Sequence, residues 1–158
     1  PAANLHLTLH FIGDARAESL HPLKQSLVTA LSGISKFRLE LRGSGVFPSM
    51  ASPRVLWLGF TNKSREPLIS LASCVKKACA EVGLTGDAKT FKPHLSIARI
   101  DNRFDTANTL AILANLTQFQ ADPFDAREVI VYSSDLSGHA PIYRAEAIVP
   151  LDENHDKI

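Results

Sequence analysis

Two similar short motifs in this chain each begin with a histidine and carry a hydroxyl residue two positions later. His6 and Thr8 lie in HLTLHFIGD, and His94 and Ser96 lie in HLSIARIDN. On a strand, residues i and i+2 point to the same face, so each histidine would share a face with its hydroxyl. A neutral imidazole can remove a proton, an imidazolium can supply one, and hydroxyls can hold oxygens on which charge develops. That set suits phosphodiester chemistry, in which a nucleophile loses a proton while the leaving oxygen gains one.

A third histidine, His10, would share the face of His6 and Thr8. It could lie at the rim of the site, or it could be a solvated histidine at the end of a strand. A zinc site made of His6, His10 and His94 would leave the hydroxyls unexplained, and alternate residues on one strand are roughly 6–7 Å apart. Because no carboxylate cluster has metal-ligand spacing, we expect neither a metal nor another cofactor.

Three further side chains are candidate substrate contacts. Arg99 could fork onto a phosphate, but alternation places it on the face opposite His94, so it would reach the site only if the strand ends or bulges there. Phe47, in a predicted loop marked by Gly43, Gly45 and Pro48, could stack on a base. Trp57 fits a core position better, and Tyr143 follows Pro141 in a predicted turn at the edge of the second half.

Hydrophobic periodicity predicts a mixture of strands and helices. The strand-like segments are Asn4–Ile12, Phe37–Arg42, Arg54–Phe60, Pro93–Ile100, Arg127–Ser133 and Ile142–Val149. The helical segments are Ala17–Leu31, Pro67–Val82 and Thr106–Leu116, with Pro67 expected in a first turn. In the third helix, Leu110, Leu113 and Ala114 are expected to face inward.

The order of the elements repeats, because each histidine strand is followed by a helix and then by two strands. This repeat predicts an α+β fold of two pseudo-symmetric lobes, each an antiparallel sheet with helices on its outer face, around a central cleft. We expect residues 1–158 to form a single domain. By the same symmetry a strand and a helix should precede Asn4, and we expect that they are missing from this chain.

Composition sets limits on the class of protein. The chain has 158 residues, 45% hydrophobic and 21% charged, with a formal charge of +1, so we expect one globular monomer rather than a protein that coats nucleic acid. Cys74 and Cys79 lie in a helical pattern that disfavours a disulfide, which predicts a reducing cytoplasm. No apolar run is long enough to cross a membrane.

The two motifs, in NLHLTLHFIG and FKPHLSIAR, resemble those of the 2H phosphoesterase superfamily. The chain looks most similar to its RNA 2′,3′-cyclic phosphodiesterase branch, the 2′-5′ RNA ligase family. The resemblance continues through GVFPSMASPRVLWLGF and VYSSDLSGHAPIYRAEAIVPL and covers nearly the whole chain. It implies that His6 and His94 are catalytic and that Thr8 and Ser96 contact the phosphate.

The resemblance further implies a reaction on RNA. A 2′,3′-cyclic phosphate end would be opened to a 2′-phosphate, and the reverse chemistry would join RNA through a 2′-5′ linkage. Two alternatives remain at this point: the same site could act on a small cyclic nucleotide, or the cleft could bind a nucleotide without turnover.

Overall fold

The computed structural model describes residues 5–100, 106–117, 119–135 and 141–153. Helices and antiparallel sheets occur together, so the predicted α+β class is confirmed. The helices are α1 (Leu20–Leu31), α2 (Asn62–Glu81) and α3 (Thr106–Leu116). The strands are β1 (Phe37–Leu39), β2 (Leu41–Ser49), β3 (Ser52–Phe60), β4 (Leu95–Arg99), β5 (Phe124–Ala126), β6 (Glu128–Asp135) and β7 (Ile142–Pro150). None of the helices in the described residues has the length and apolarity needed to cross a membrane.

The chain divides into two compact units. Unit 1 comprises the described residues within Pro1–Thr8, Arg38–Ile69 and Lys92–Phe124, and unit 2 comprises those within Leu9–Phe37, Ser70–Phe91 and Asp125–Ile158. The first motif up to Thr8 and the described part of the second motif both belong to unit 1.

Unit 1 is built on a three-stranded antiparallel sheet in the order β2-β3-β4, and α3 lies against β2. Leu56, Leu58 and Phe60 of β3 are buried, as expected for the central strand of a sheet. The segment containing Gly43, Gly45 and Pro48 was predicted as a loop but forms most of β2. Glycine and proline are common in turns, yet glycine also occurs in strands where another group approaches the backbone closely.

The first turn of α2 is anchored by a buried serine. Ser64 is 1% exposed, and its hydroxyl oxygen accepts the backbone N–H of Glu40 at 2.9 Å and lies 3.2 Å from the hydroxyl of Thr61. The helix begins at Asn62, five residues before Pro67, so the prediction that Pro67 occupies the first turn is wrong. The Ser64 hydroxyl links the first turn of α2 to the backbone of Glu40.

Unit 2 is held together by leucine and valine side chains from two helices and a hairpin. Leu23, Leu27 and Leu31 of α1 are buried at a helical spacing, as predicted. The antiparallel pair β6-β7 contributes Val129 and Val149 to the same core. The rest of this core consists of Leu71, Val75, Ala78 and Cys79 of α2 together with Leu151.

Two sequence predictions are wrong at the level of individual elements. The described part of the first predicted strand, residues 5–12, has no strand assignment, because an extended segment becomes a strand only when it pairs with a ladder partner. In α3, Leu110 is 53% exposed and Ala114 is also exposed, whereas Thr109 is 1% exposed. The inward face of α3 is therefore shifted by one residue, with Leu113 remaining half-buried.

Candidate functional site

The second motif lies on one face of the β2-β3-β4 sheet. Ser96 of β4 is paired with Trp57 of β3, which in turn is paired with Gly45 of β2. Directly paired residues of antiparallel strands point to the same side. Ser96, Trp57 and Gly45 therefore form a row across one face, and His94, two residues before Ser96, belongs to the same side by alternation.

A β-bulge changes which residues of β4 reach this face. Leu56 pairs with Ala98 and Trp57 pairs with Ser96, so Ile97 is an extra residue in the ladder. Beyond the bulge, Arg99 pairs with Val55, which alternates with Trp57 on β3. Arg99 consequently lies on the Ser96 face, and the alternation argument that placed it on the opposite face is wrong. The condition stated for its reaching the site, a bulge in the strand, is met.

The imidazole of His94 is oriented by the backbone. Its Nδ1 donates a hydrogen bond to the carbonyl oxygen of Lys92 at 2.6 Å, and the ring is half-buried. A carbonyl oxygen can only accept, so the proton of the neutral ring is on Nδ1. The lone pair is then on Nε2, which makes Nε2 the atom that can take a proton. Sequence reasoning missed Lys92, because a backbone carbonyl has no residue signature.

Aromatic rings support His94 from the side of β2. The Phe47 and His94 ring centroids are 4.9 Å apart with the planes nearly perpendicular at 84°, and the Phe47 and Trp57 centroids are 5.3 Å apart. The indole of Trp57 lies directly on Gly45, where a Cβ atom would come within 2.8 Å of Cε2 and Cη2. Gly45 is therefore required by a close approach, and Phe47 lies in a strand next to the catalytic candidate.

The first motif contributes side chains to the same unit. His6 is half-buried and Thr8 is exposed. Both residues lie within Pro1–Thr8 of unit 1, and His94 and Ser96 lie within its Lys92–Phe124 segment. The four motif residues that the sequence singled out are therefore all in unit 1. Among the described residues, no three His, Cys, Asp or Glu side chains are grouped so that they could share a metal ion.

His10 has a partly enclosed ring. It belongs to unit 2, where it is half-buried and its Nε2 atom is buried without a partner among the described residues. Burial lowers the pKa of His10 below its ordinary value, and the charge of Lys76 lowers it further. A hydrogen bond with the backbone of Thr85 and the charge of Asp87 oppose this shift. Burial is the largest of these effects, so the neutral ring is favoured.

Tyr143 also belongs to unit 2. It lies in β7 opposite Ser134 of β6, not in a turn, and its ring is 6.1 Å from that of Tyr132 in an edge-to-face arrangement. Tyr143 and His10 therefore both belong to unit 2.

The model of one protein family matches most of the chain. Residues 1–137 match the 2′-5′ RNA ligase superfamily. This chain belongs to that superfamily. The family assignment that the two H-x-[ST] motifs suggested is therefore confirmed.

Several bacterial and archaeal relatives are named RNA 2′,3′-cyclic phosphodiesterase. The chain is 34% identical over 148 residues to the RNA 2′,3′-cyclic phosphodiesterase of Aquifex aeolicus, covering 89% of this chain and 74% of that protein. It is 28% identical over 143 residues to the protein of that name from Aeropyrum pernix, covering 89% and 78%. Superfamily membership is thus supported by relatives from two domains of life.

Solved structures share the fold. The crystal structure of the Thermus thermophilus protein TT0787 matches with a TM-score of 0.78 and 25% identity, covering 98% of this chain and 82% of that one. The structure of E. coli LigT complexed with 3′-AMP matches with a TM-score of 0.71 and 24% identity, covering 97% and 80%. Both matches extend over nearly the whole of this chain.

Proposed function

We propose that this member of the 2′-5′ RNA ligase superfamily hydrolyses RNA 2′,3′-cyclic phosphodiester ends to 2′-phosphates. The relatives named above, which are RNA 2′,3′-cyclic phosphodiesterases, support an enzyme of this class. The observation that carries the proposal is the shared face of His94, Ser96 and Arg99, which combines a proton acceptor, a hydroxyl donor and a guanidinium.

In the proposed mechanism His94 acts as the general base. Its Nδ1 proton is committed to the Lys92 carbonyl, so Nε2 takes a proton from water as the water oxygen attacks phosphorus. The bond between phosphorus and the 3′ oxygen breaks, and His6 in its imidazolium form gives that oxygen a proton. The products are a 3′-hydroxyl and a 2′-phosphate. The same steps with an RNA 5′-hydroxyl in place of water would form a 2′-5′ linkage: His94 takes the proton of that hydroxyl, and His6 gives one to the leaving 3′ oxygen.

The negative charge that develops on the non-bridging phosphate oxygens needs donors that are already in place. We assign Ser96 and Thr8 to the non-bridging oxygens through their hydroxyls. Arg99 adds a planar charged fork whose parallel N–H donors match two oxygens of one phosphate, a geometry that the lysine ammonium lacks. Phe47 keeps the imidazole of His94 in place through the edge contact between the rings. No step is assigned to Tyr143.

The test uses an RNA oligomer that ends in a 2′,3′-cyclic phosphate, incubated in EDTA with the parent chain and with His94→Ala. We expect a 2′-phosphate product from the parent and a loss of at least about 100-fold in the variant, the low end for general acid–base catalysis. His21→Ala, at an exposed histidine of α1, is the matched control and should keep full activity.

Other outcomes decide between the alternatives. Faster turnover of a cyclic mononucleotide than of the oligomer would favour small cyclic phosphates as substrates. Nucleotide binding without turnover by a folded parent chain would favour a binding module. A 3′-phosphate product would contradict the assigned leaving group.

A further inference from the structure

The part of the first motif that follows Thr8 is hydrogen-bonded to the loop that precedes the second motif. Residues 5–12 pair with no strand, so their position depends on other contacts. The backbone N–H of Asp87 donates to the carbonyl oxygen of Phe11 at 2.9 Å. Leu9 and Ile12, on either side, pack against the core of unit 2. We call the contact of His10 and Phe11 with Thr85, Gly86 and Asp87 the clasp.

The His10 ring fits the clasp because residue 86 is glycine. A Cβ atom at Gly86 would lie 2.6 Å from Nε2 and 3.0 Å from Cε1 of His10, and it would also clash with the carbonyl oxygen of Phe11. Real Cβ atoms do not approach other atoms this closely, so any side chain here would displace the ring or the backbone. The φ of +57° at Gly86 favours glycine as well.

One ring nitrogen of His10 has a hydrogen-bond partner among the described residues, and the other has none. The ring makes a hydrogen bond with the backbone of Thr85, whereas Nε2 is buried and has no partner among the described residues. The Thr85 bond therefore uses Nδ1–H. A proton added to Nε2 would create a buried donor without an acceptor, which is costly. The clasp thus fits a neutral imidazole and opposes a charged one.

The clasp is close in sequence to both motifs. His10 is two residues after Thr8, and the Asp87 loop leads through Lys92 to His94. We propose that His10 is a positioning residue, whose neutral ring in the clasp fixes the two chain segments that carry the catalytic motifs. This inference rests on the proposed function for its effect on rate, while the clasp itself can be tested without activity.

Protonation should open the clasp in acid. The charged groups that face His10 are Lys76 of α2 and Asp87 of the loop. Lys76 repels a charged ring and Asp87 attracts it, but burial outweighs both and lowers the pKa of His10. The ring therefore takes up its proton at a lower pH than an ordinary histidine, and the contact of residues 10–11 with residues 85–87 should weaken once the ring is charged.

Four variants distinguish the loss of the clasp from a general loss of stability. His10→Asn keeps an N–H near the Nδ1 position, whereas His10→Leu removes it at similar volume. Gly86→Ala should expel the ring. Gly83→Ala is its control, since Gly83 has a φ of +77° but nothing within 4 Å of a Cβ atom. Both alanines bear the cost of a left-handed backbone, but only the one at Gly86 meets His10.

The value of kcat on the cyclic-phosphate RNA should fall when the clasp is disrupted. We expect His10→Leu and Gly86→Ala to lower kcat by about 10- to 100-fold, in the range caused by a misplacement of about 1 Å, with little change in KM. His10→Asn and Gly83→Ala should remain within about threefold of the parent. The acid limb of the rate profile should steepen at low pH in the parent and not in His10→Asn.

Amide hydrogen exchange at Asp87 reports on the clasp independently of activity. Exchange should speed up by at least about tenfold in His10→Leu and Gly86→Ala and remain slow in Gly83→Ala. Equal exchange and equal kcat in all four variants would overturn the positioning role. An inactive parent would overturn the proposed function instead, and the exchange data would still decide whether the clasp exists.

Discussion

Replacing Gly45 by alanine should disturb the site from the far edge of the sheet. The new methyl group would lie within 2.8 Å of the Trp57 indole, so the indole must move. Overpacking of this kind costs about 1–3 kcal/mol, and loss of the Trp57–Phe47 pair adds about 0.5–1.5 kcal/mol. Because Phe47 also supports His94, we expect a loss of about tenfold in kcat in addition to the lower stability.

The chain contains a single tryptophan, so its fluorescence reports directly on this movement. We expect a red shift of the Trp57 emission in folded Gly45→Ala, measured together with urea unfolding and steady-state kinetics. Gly43→Ala is the matched control. Gly43 has a φ of +75° and nothing within 4 Å of a Cβ atom, so alanine there adds about 1–2 kcal/mol of backbone strain without touching the indole.

Two results would refute this reasoning. The first is a Gly45→Ala protein with the parent's emission maximum and kcat, which would mean that the sheet absorbs the methyl group without moving Trp57. The second comes from a double-mutant cycle with Trp57→Phe, whose smaller ring should relieve the clash. If Gly45→Ala is as destabilising in that background as in the parent, the indole is not the cause.

Four further predictions concern other parts of the molecule. Arg99→Lys should lower kcat/KM by at least about tenfold, because it keeps the charge and loses the fork; equal kcat/KM would remove Arg99 from the site. Ser64→Ala should lower the free energy of unfolding in urea by about 1–3 kcal/mol, since the Glu40 N–H loses its acceptor, while kcat is unchanged. The folded pKa of His10 is lowered, so the unfolded chain binds that proton more readily. The contribution of His10 to the free energy of unfolding should be fully present above pH 6.5 and should be lost as the pH falls through the folded pKa. His10→Asn should flatten this slope when urea unfolding is measured across pH. Activity should persist in EDTA, because imidazoles and hydroxyls supply the proposed chemistry; a loss restored by zinc would contradict it.

The sequence was sufficient for elements whose packing follows a simple period. Leu23, Leu27 and Leu31 recur every four residues, and the structure buries all three. The alternation in β3 likewise predicted a strand over residues 54–60, within the observed Ser52–Phe60. In both cases one hydrophobic surface faces one core, so the pattern in the sequence and the pattern of burial are the same.

The prediction failed where a backbone contact decides the structure. Gly45 and Pro48 are typical of loops, but both lie in β2, where the indole of Trp57 leaves room only for glycine at residue 45. The segment around His6 alternates like a strand, yet its described residues make no ladder. The spacing of His10 left open a position at the rim of the site or a solvated strand end, and it gave no sign of the close approach by Gly86. None of these contacts leaves a periodic signal.

The bulge at Ile97 shows how such an irregularity can serve chemistry. A regular strand that begins with His94 and Ser96 would present residue 98 next on the same face, and residue 98 is an alanine. With Ile97 as the extra residue, Ala98 pairs with buried Leu56 and Arg99 takes the position on the Ser96 face. The side that carries His94, the proposed base, therefore presents the guanidinium of Arg99 instead of the methyl group of Ala98. A phosphate held between a hydroxyl and a cation requires that guanidinium, so the irregular ladder is the feature of β4 that best fits the proposed reaction.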